Sequence, residues 1–209
     1  MVVAVDPVAV RLLPVLLRFR RVTPDVLTGV ALLLGLGAAA STLTGHVRLG
    51  ALLFEARFLV DCLDGKVARI RGTGTAFGAF FDRTADLVGV LLSYVALSVV
   101  AVRAVPGHQN LMLLPALLCA VAAAAEFLLK GAKAGAGGPA GGLGDTAWGR
   151  WCSARRLATR PWTVEAETLA LFAVPLLVPG LAWAGLLCAA VFYLIAAAHD
   201  VTLAGVILR

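Results

Sequence analysis

Apolar residues fill long stretches of this chain and predict six membrane-spanning helices of about 20 residues, near 26–43, 49–70, 76–102, 111–130, 164–178 and 181–208. The second stretch breaks the pattern, because Glu55, Arg57, Asp61, Asp64, Lys66 and Arg69 all lie in it. Its last turns are therefore expected to project past the hydrocarbon into the cytoplasmic interface. Ahead of the first span, Val8, Leu12, Val15, Leu16 and Phe19 line one side of a helix, kinked or broken near Pro14, while Arg11 and Arg18 share another side. That pattern predicts an interfacial amphipathic helix over 1–22. Between the fourth and fifth spans the polarity changes twice. Residues 131–147 are too rich in glycine to hold a helix and read as a flexible loop. Residues 148–162 interleave Trp148, Trp151 and Trp162 with Arg150, Arg155, Arg156 and Arg160, in the manner of a headgroup-level segment. Pro179-Gly180 marks the outer turn before the last span. The expected fold is an all-α integral membrane protein, with six transmembrane helices in residues 23–209 behind the interfacial helix.

Composition agrees with this reading. The chain has 209 residues, 61% of them hydrophobic, against about 45–50% in an ordinary soluble domain. The amino-terminal stretch lacks the early positive cluster and cleavage site of a signal peptide. With both termini inside, Arg11, Arg18, Arg20, Arg21, Arg69, Arg71, Lys130, Lys133, Arg150, Arg155, Arg156, Arg160 and Arg209 fall on the cytoplasmic side, and the outer loops carry little beyond Arg48 and Arg103. The net charge of +6 is then a result of topology. It calls for no nucleic-acid partner, and no binding motif for one accompanies it. Cys62, Cys119, Cys152 and Cys188 show no metal-binding spacing and read as reduced packing residues.

The candidate chemistry lies in the stretch Asp61-Cys-Leu-Asp64-Gly65-Lys-Val-Ala68-Arg69, followed after eight residues by Gly78, then Asp82 and Asp86. On a helix, Asp61, Asp64, Gly65 and Ala68 share one face; Gly78, Asp82 and Asp86 do the same one span later. Two such helices facing each other bring four carboxylates together beside glycine and alanine, where a ligand can approach the backbone closely. Oxygen-only ligation of this kind suits Mg²⁺ or Mn²⁺. Ionisable groups in a membrane segment are expensive, and their default reading is a functional site. The plain alternative is a structural salt-bridge network with Arg57, Arg69, Arg71 and Arg83, in which Arg57 pairs with Asp61 one turn along the same helix. Salt bridges alone would not require small residues on both acidic faces. Thr23, Pro24 and Asp25 read by themselves as a helix start, with Thr23 the cap and Pro24 the first residue.

The run D-x2-D-G-x2-A-R-x8-G-x3-D-x3-D resembles the signature of the CDP-alcohol phosphotransferases, and every specified position is met at its interval. Thr23-Pro24-Asp25-Val-Leu-Thr28 is similar to the family's stretch at the start of its first transmembrane helix. Together the two motifs cover roughly the first half of the chain. The resemblance implies that Asp61, Asp64 and Asp82 bind divalent metal, two Mg²⁺ or Mn²⁺ ions, and that Asp86 completes the site and acts as general base. It also implies that Asp25, Thr28, Gly65, Ala68, Arg69, Thr75 and Gly78 hold the CDP moiety of the donor. The implied reaction is attack of an alcohol hydroxyl on the β-phosphorus of CDP-diacylglycerol, releasing CMP and forming a phospholipid, by a homodimer in a bacterial plasma membrane whose active site faces the cytoplasm.

The acceptor is less constrained. Lys130, Lys133, Arg155 and Arg156 are candidates to line a pocket for a phosphorylated alcohol, although the inward bias of positive charge already accounts for them. The Thr-Pro-Asp variant resembles actinobacterial phosphatidylinositol-phosphate synthases. The Glu-Arg-Pro-Glu-Arg-like stretch of those enzymes is replaced here by Cys152-Ser-Ala-Arg-Arg156 and Arg160-Pro-Trp162. Inositol phosphate is thus one candidate among several polyols and amino alcohols. A soluble CDP-alcohol donor with a lipid acceptor is the alternative within the family. Outside it stands a membrane cation or polar-solute transporter, which would be expected to show repeat symmetry and carboxylates near the bilayer midplane; the chain shows no repeat, and its acidic cluster lies towards one face.

Overall fold

The computed structural model describes residues 6–19, 21–104, 177–181 and 183–191, together with isolated positions between 114 and 195. All regular structure among these is helical. Helix α1 spans Asp6–Arg18, α2 Pro24–Leu43, α3 Val47–Arg71 and α4 Ala76–Ala104, and a 3-10 turn covers Pro179–Leu181 ahead of the helical segment 183–191. Helix α2 and the Ala76–Arg103 part of α4 are each long and apolar enough to cross a membrane. Helix α3 is longer than α2 but does not meet that measure, because of the charges that set it apart in the sequence. Most of the fourth and fifth predicted spans, the loop 131–147, most of 148–162 and the end of the sixth span lie outside the described residues.

Local chemistry explains the boundaries. Thr23 caps α2 by accepting the Val26 N–H through Oγ1 at 3.3 Å, with Pro24 opening the helix. Gly45 at φ +89° makes the turn into α3, and Gly72 at φ +63° ends α3 in the left-handed conformation that glycine adopts without strain. Thr75 starts α4 by accepting the Gly78 N–H at 2.9 Å.

Helix α2 packs against both α3 and α4, while α1 lies on α3. The α2–α3 contact is tight at Gly50, where a Cβ would stand 2.0 Å from Thr42 Oγ1 and 2.8 Å from the Ala38 carbonyl oxygen. Small residues that let backbones touch are the usual means of joining helices in lipid, where no hydrophobic gain holds them together. Two apolar clusters join these elements. One joins Ala38, Ala51, Phe54, Tyr94 and Leu97 to Leu186 and Ala189 of segment 183–191; the other joins Ala9, Leu27, Leu63 and Val67.

Helix α1 is continuous through Pro14. Ala9, Leu13 and Leu16, on either side of the proline, pack on the second cluster and hold both parts against α3. Its Val8, Leu12 and Val15, and Phe19 just past its end, face away from the bundle, which suits a helix lying in a membrane interface. Arg71 fixes the other end. Its guanidinium donates to the carbonyls of Val22, Phe19 (3.0 Å), Leu16 (3.3 Å) and Leu17 (3.4 Å), so one side chain of α3 meets two carbonyls in the last turn of α1 and two of the chain leaving it.

Candidate active site

Where the ends of α2, α3 and α4 meet, three carboxylates converge. One oxygen from each of Asp61, Asp64 and Asp82 lies within 4.8 Å of the others. Asp61 and Asp64 come from successive turns of α3 and Asp82 from the second turn of α4, the juxtaposition expected of two acidic faces turned towards each other. Asp64 is 5% exposed and is held from two sides. Thr28 donates its hydroxyl to Asp64 Oδ2 at 2.6 Å, and the Gly65 N–H donates to Oδ1. Three like charges this close repel one another strongly away from bulk water. An all-oxygen donor set of this geometry fits a hard divalent cation.

Asp86, the fourth aspartate, is not one of the three whose oxygens converge. Its Oδ1 pairs with the guanidinium of Arg57, whose side chain is 4% exposed whereas that of Asp86 is 47% exposed. The pairing of Arg57 with Asp61 along α3 is therefore not the ion pair formed. Arg57 reaches across to α4, its guanidinium 5.2 Å from the centroid of the Phe54 ring. Of the other cations considered for a salt-bridge network, Arg71 is turned to the backbone of α1 and its exit, as described above.

Beside the carboxylates opens a cleft of about 190 Å³. Asp25, Thr28, Gly65, Ala68, Arg69, Thr75 and Gly78, the seven positions singled out for a nucleotide donor, all line it together with Asp64 and Asp82. Three of them interlock: a Cβ at Gly78 would stand 2.9 Å from Asp25 Oδ1 and 3.1 Å from Thr75 Oγ1. Thr73 and Gly74 also line the cleft. Sequence reasoning passed over these two, although the short Gly-Thr-Gly-Thr link at 72–75 between two helices was a signal that backbone would be exposed there. It also missed the use of the Thr28 hydroxyl on Asp64. Lys130, Lys133, Arg155 and Arg156 lie outside the described residues.

Comparison with known proteins is consistent with this geometry. The family model for CDP-alcohol phosphatidyltransferase matches residues 21–195. Over 87 residues the chain is 39% identical to the phosphatidylinositol phosphate synthase of Corynebacterium glutamicum, a match covering 41% of this chain and 37% of that protein. Over 82 residues it is 39% identical to the archaetidylinositol phosphate synthase of Methanothermobacter thermautotrophicus, covering 39% of this chain and 38% of that protein. The matched stretches thus span little more than a third of these relatives. The fold is similar over nearly the whole chain to the crystal structure of Mycobacterium tuberculosis phosphatidylinositol phosphate synthase with CDP-DAG bound, with a TM-score of 0.67 at 21% identity, covering 95% of this chain and 92% of that one. The same protein in complex with manganese and citrate gives a TM-score of 0.68.

Proposed function

The chain belongs to the CDP-alcohol phosphatidyltransferase family, and we propose that it transfers the phosphatidyl group of CDP-diacylglycerol to the hydroxyl of an inositol phosphate, releasing CMP. The observation that carries this reading is the meeting of Asp64 and Asp82, two of three convergent carboxylates, with the predicted donor contacts in the wall of one cleft. Relatives named as phosphatidylinositol and archaetidylinositol phosphate synthases support the choice of acceptor class.

Asp61, Asp64 and Asp82 are the residues that would hold the divalent ions, Mg²⁺ or Mn²⁺. When bound, such ions neutralise the negative charge that grows on the phosphate oxygens and on the leaving CMP. The chain's own residues do the rest. Thr28 and the Gly65 N–H orient the Asp64 carboxylate. Gly65, Ala68 and Gly78 offer backbone and small side chains against which a flat base can lie, and Arg69 supplies a cation for a phosphate. Asp86 takes the proton from the acceptor hydroxyl as its oxygen bonds to the β-phosphorus. The bond from that phosphorus to the CMP oxygen breaks in the same substitution. A carboxylate base placed in this way contributes about a hundredfold or more to such a step. Lys130, Lys133, Arg155 and Arg156 remain the cations proposed to receive the acceptor's phosphate, from the cytoplasmic side of the membrane.

The experiment is CMP release by purified protein in lipid-containing micelles with CDP-diacylglycerol and Mg²⁺ or Mn²⁺, offered inositol phosphate, inositol, glycerol phosphate, serine and amino alcohols in turn. Release with inositol phosphate alone is the expected result. Release with another acceptor reassigns the product, and silence with all of them, together with failure to bind CDP-diacylglycerol, sets the proposal aside in favour of a soluble donor or of transport.

A further inference from the structure

Arg57 places a full positive charge in the middle of α3 at 3% exposure, and two glycines make that possible. A Cβ at Gly35 of α2 would stand 3.0 Å from Arg57 Cδ; one at Gly89 of α4 would stand 2.8 Å from Nε and 3.3 Å from Cζ. The arginine therefore occupies a slot that three helices keep open by omitting side chains from two of its walls. The slot serves stability badly. Nε is buried without a hydrogen-bond acceptor among the described residues, and an unmet buried donor costs free energy. For an ion pair between one buried and one half-exposed partner, the desolvation of the arginine offsets much of the attraction. The slot does serve aim. Wedged between glycines and seated on Phe54, the guanidinium is closely confined, and one of its nitrogens holds Oδ1 of a carboxylate that otherwise stands half in water.

We propose that Arg57 is a positioning residue for the transfer: by holding Oδ1 of Asp86 it fixes the direction of Oδ2 as the proton acceptor, and Gly35 and Gly89 are needed because they seat it. This inference rests on Asp86 acting as base in the transferase reading. A base displaced by about 1 Å loses about a hundredfold in rate, so the effect belongs in kcat.

The test uses the full chain in lipid micelles and two readouts. In melting experiments, Arg57→Ala, Asp86→Ala and the double variant give non-additive losses if the pair is formed, and additive losses overturn the proposal. In turnover, Arg57→Ala lowers kcat about a hundredfold while KM for CDP-diacylglycerol and Mn²⁺ affinity stay unchanged. Arg57→Lys, which keeps the charge without the planar fork, falls between. Gly89→Ala reproduces the loss in the parent protein and adds nothing to Arg57→Ala. Retained kcat, or a loss shared equally by donor KM and Mn²⁺ binding, refutes positioning. Silence of the parent with every donor and acceptor sinks the transferase reading and this role with it, whereas a working parent with indifferent Arg57 variants sinks this role alone.

Discussion

Replacing Thr28 by valine removes one hydroxyl and almost no volume, and it separates two roles that one side chain could hold. Thr28 is 3% exposed, and its Oγ1 lies 2.6 Å from Asp64 Oδ2 and 3.2 Å from the Pro24 carbonyl oxygen. A hydroxyl has one proton, and the shorter contact to the charged oxygen takes it. In the valine variant Oδ2 of a carboxylate that is 5% exposed loses its donor, while Oδ1 keeps the Gly65 N–H. A hydrogen bond to a charged group contributes about 1.5–3 kcal/mol, and loss of a group that orients a metal ligand costs about ten- to a hundredfold in metal affinity. Thr28→Val is therefore expected to weaken Mn²⁺ binding by about tenfold or more, read by the electron paramagnetic resonance signal of free Mn²⁺ titrated with protein. Thr28→Ser, which keeps the hydroxyl, should bind as the parent does. If Thr28→Val leaves Mn²⁺ affinity intact and raises only the KM for the CDP donor, the hydroxyl serves the nucleotide directly and the assignment to Asp64 is wrong.

Asp86→Asn should abolish CMP release and leave substantial nucleotide binding, measured by equilibrium binding of labelled CDP-diacylglycerol; retained turnover would remove Asp86 from the role of base. Stripping the protein with a chelator should stop turnover, and Mg²⁺ or Mn²⁺ should restore it; activity that survives chelation speaks against the carboxylate site. Gly50→Ala forces a Cβ to within 2.0 Å of Thr42 Oγ1 and should destabilise the fold by about 1–3 kcal/mol, the usual range for overpacking, seen as a lower melting temperature in detergent with the α2–α3 contact as the cause. Arg71→Ala should free the end of α1, detected as faster amide exchange over residues 16–22 with little change in α2; unchanged exchange would mean that apolar packing alone holds α1.

The parts legible in the sequence are those set by spacing within one helix. Asp61 and Asp64 at i, i+3 and Gly78, Asp82 and Asp86 at i, i+4, i+8 declared two acidic faces, and Thr23-Pro24 declared where α2 begins. Helices α2, α3 and α4 start and stop within two residues of the predicted spans. Contacts between helices were not legible in this way. Local rules give Arg57 a neighbour at Asp61, because they see only its own helix; its partner Asp86 is 29 residues away and is reached only because Gly35 and Gly89 leave room. Thr28 and Asp64 are 36 residues apart, and nothing in either segment alone points to the other. The proline in α1 suggested a kink or a break on propensity; the helix is unbroken, with Ala9 and Leu16 packed on α3 on either side of the proline. The positions expected to meet the acceptor lie outside the described residues.

Helix α3 acts as a ruler. In 25 residues it carries the Gly50 contact with α2, the buried arginine, two of the three convergent aspartates, the small residues of the cleft and, at its end, the arginine that clasps α1. Each of these works only at its own angle around the axis. One residue inserted or deleted between Gly50 and Arg71 would swing everything beyond it by about 100°, turning carboxylates towards lipid and Arg71 away from the carbonyls it binds. Substitutions along α3 can be judged one at a time, by size and charge. Changes of length have no such graded scale, so any working variant should keep the residue count of this helix even where little of its composition survives.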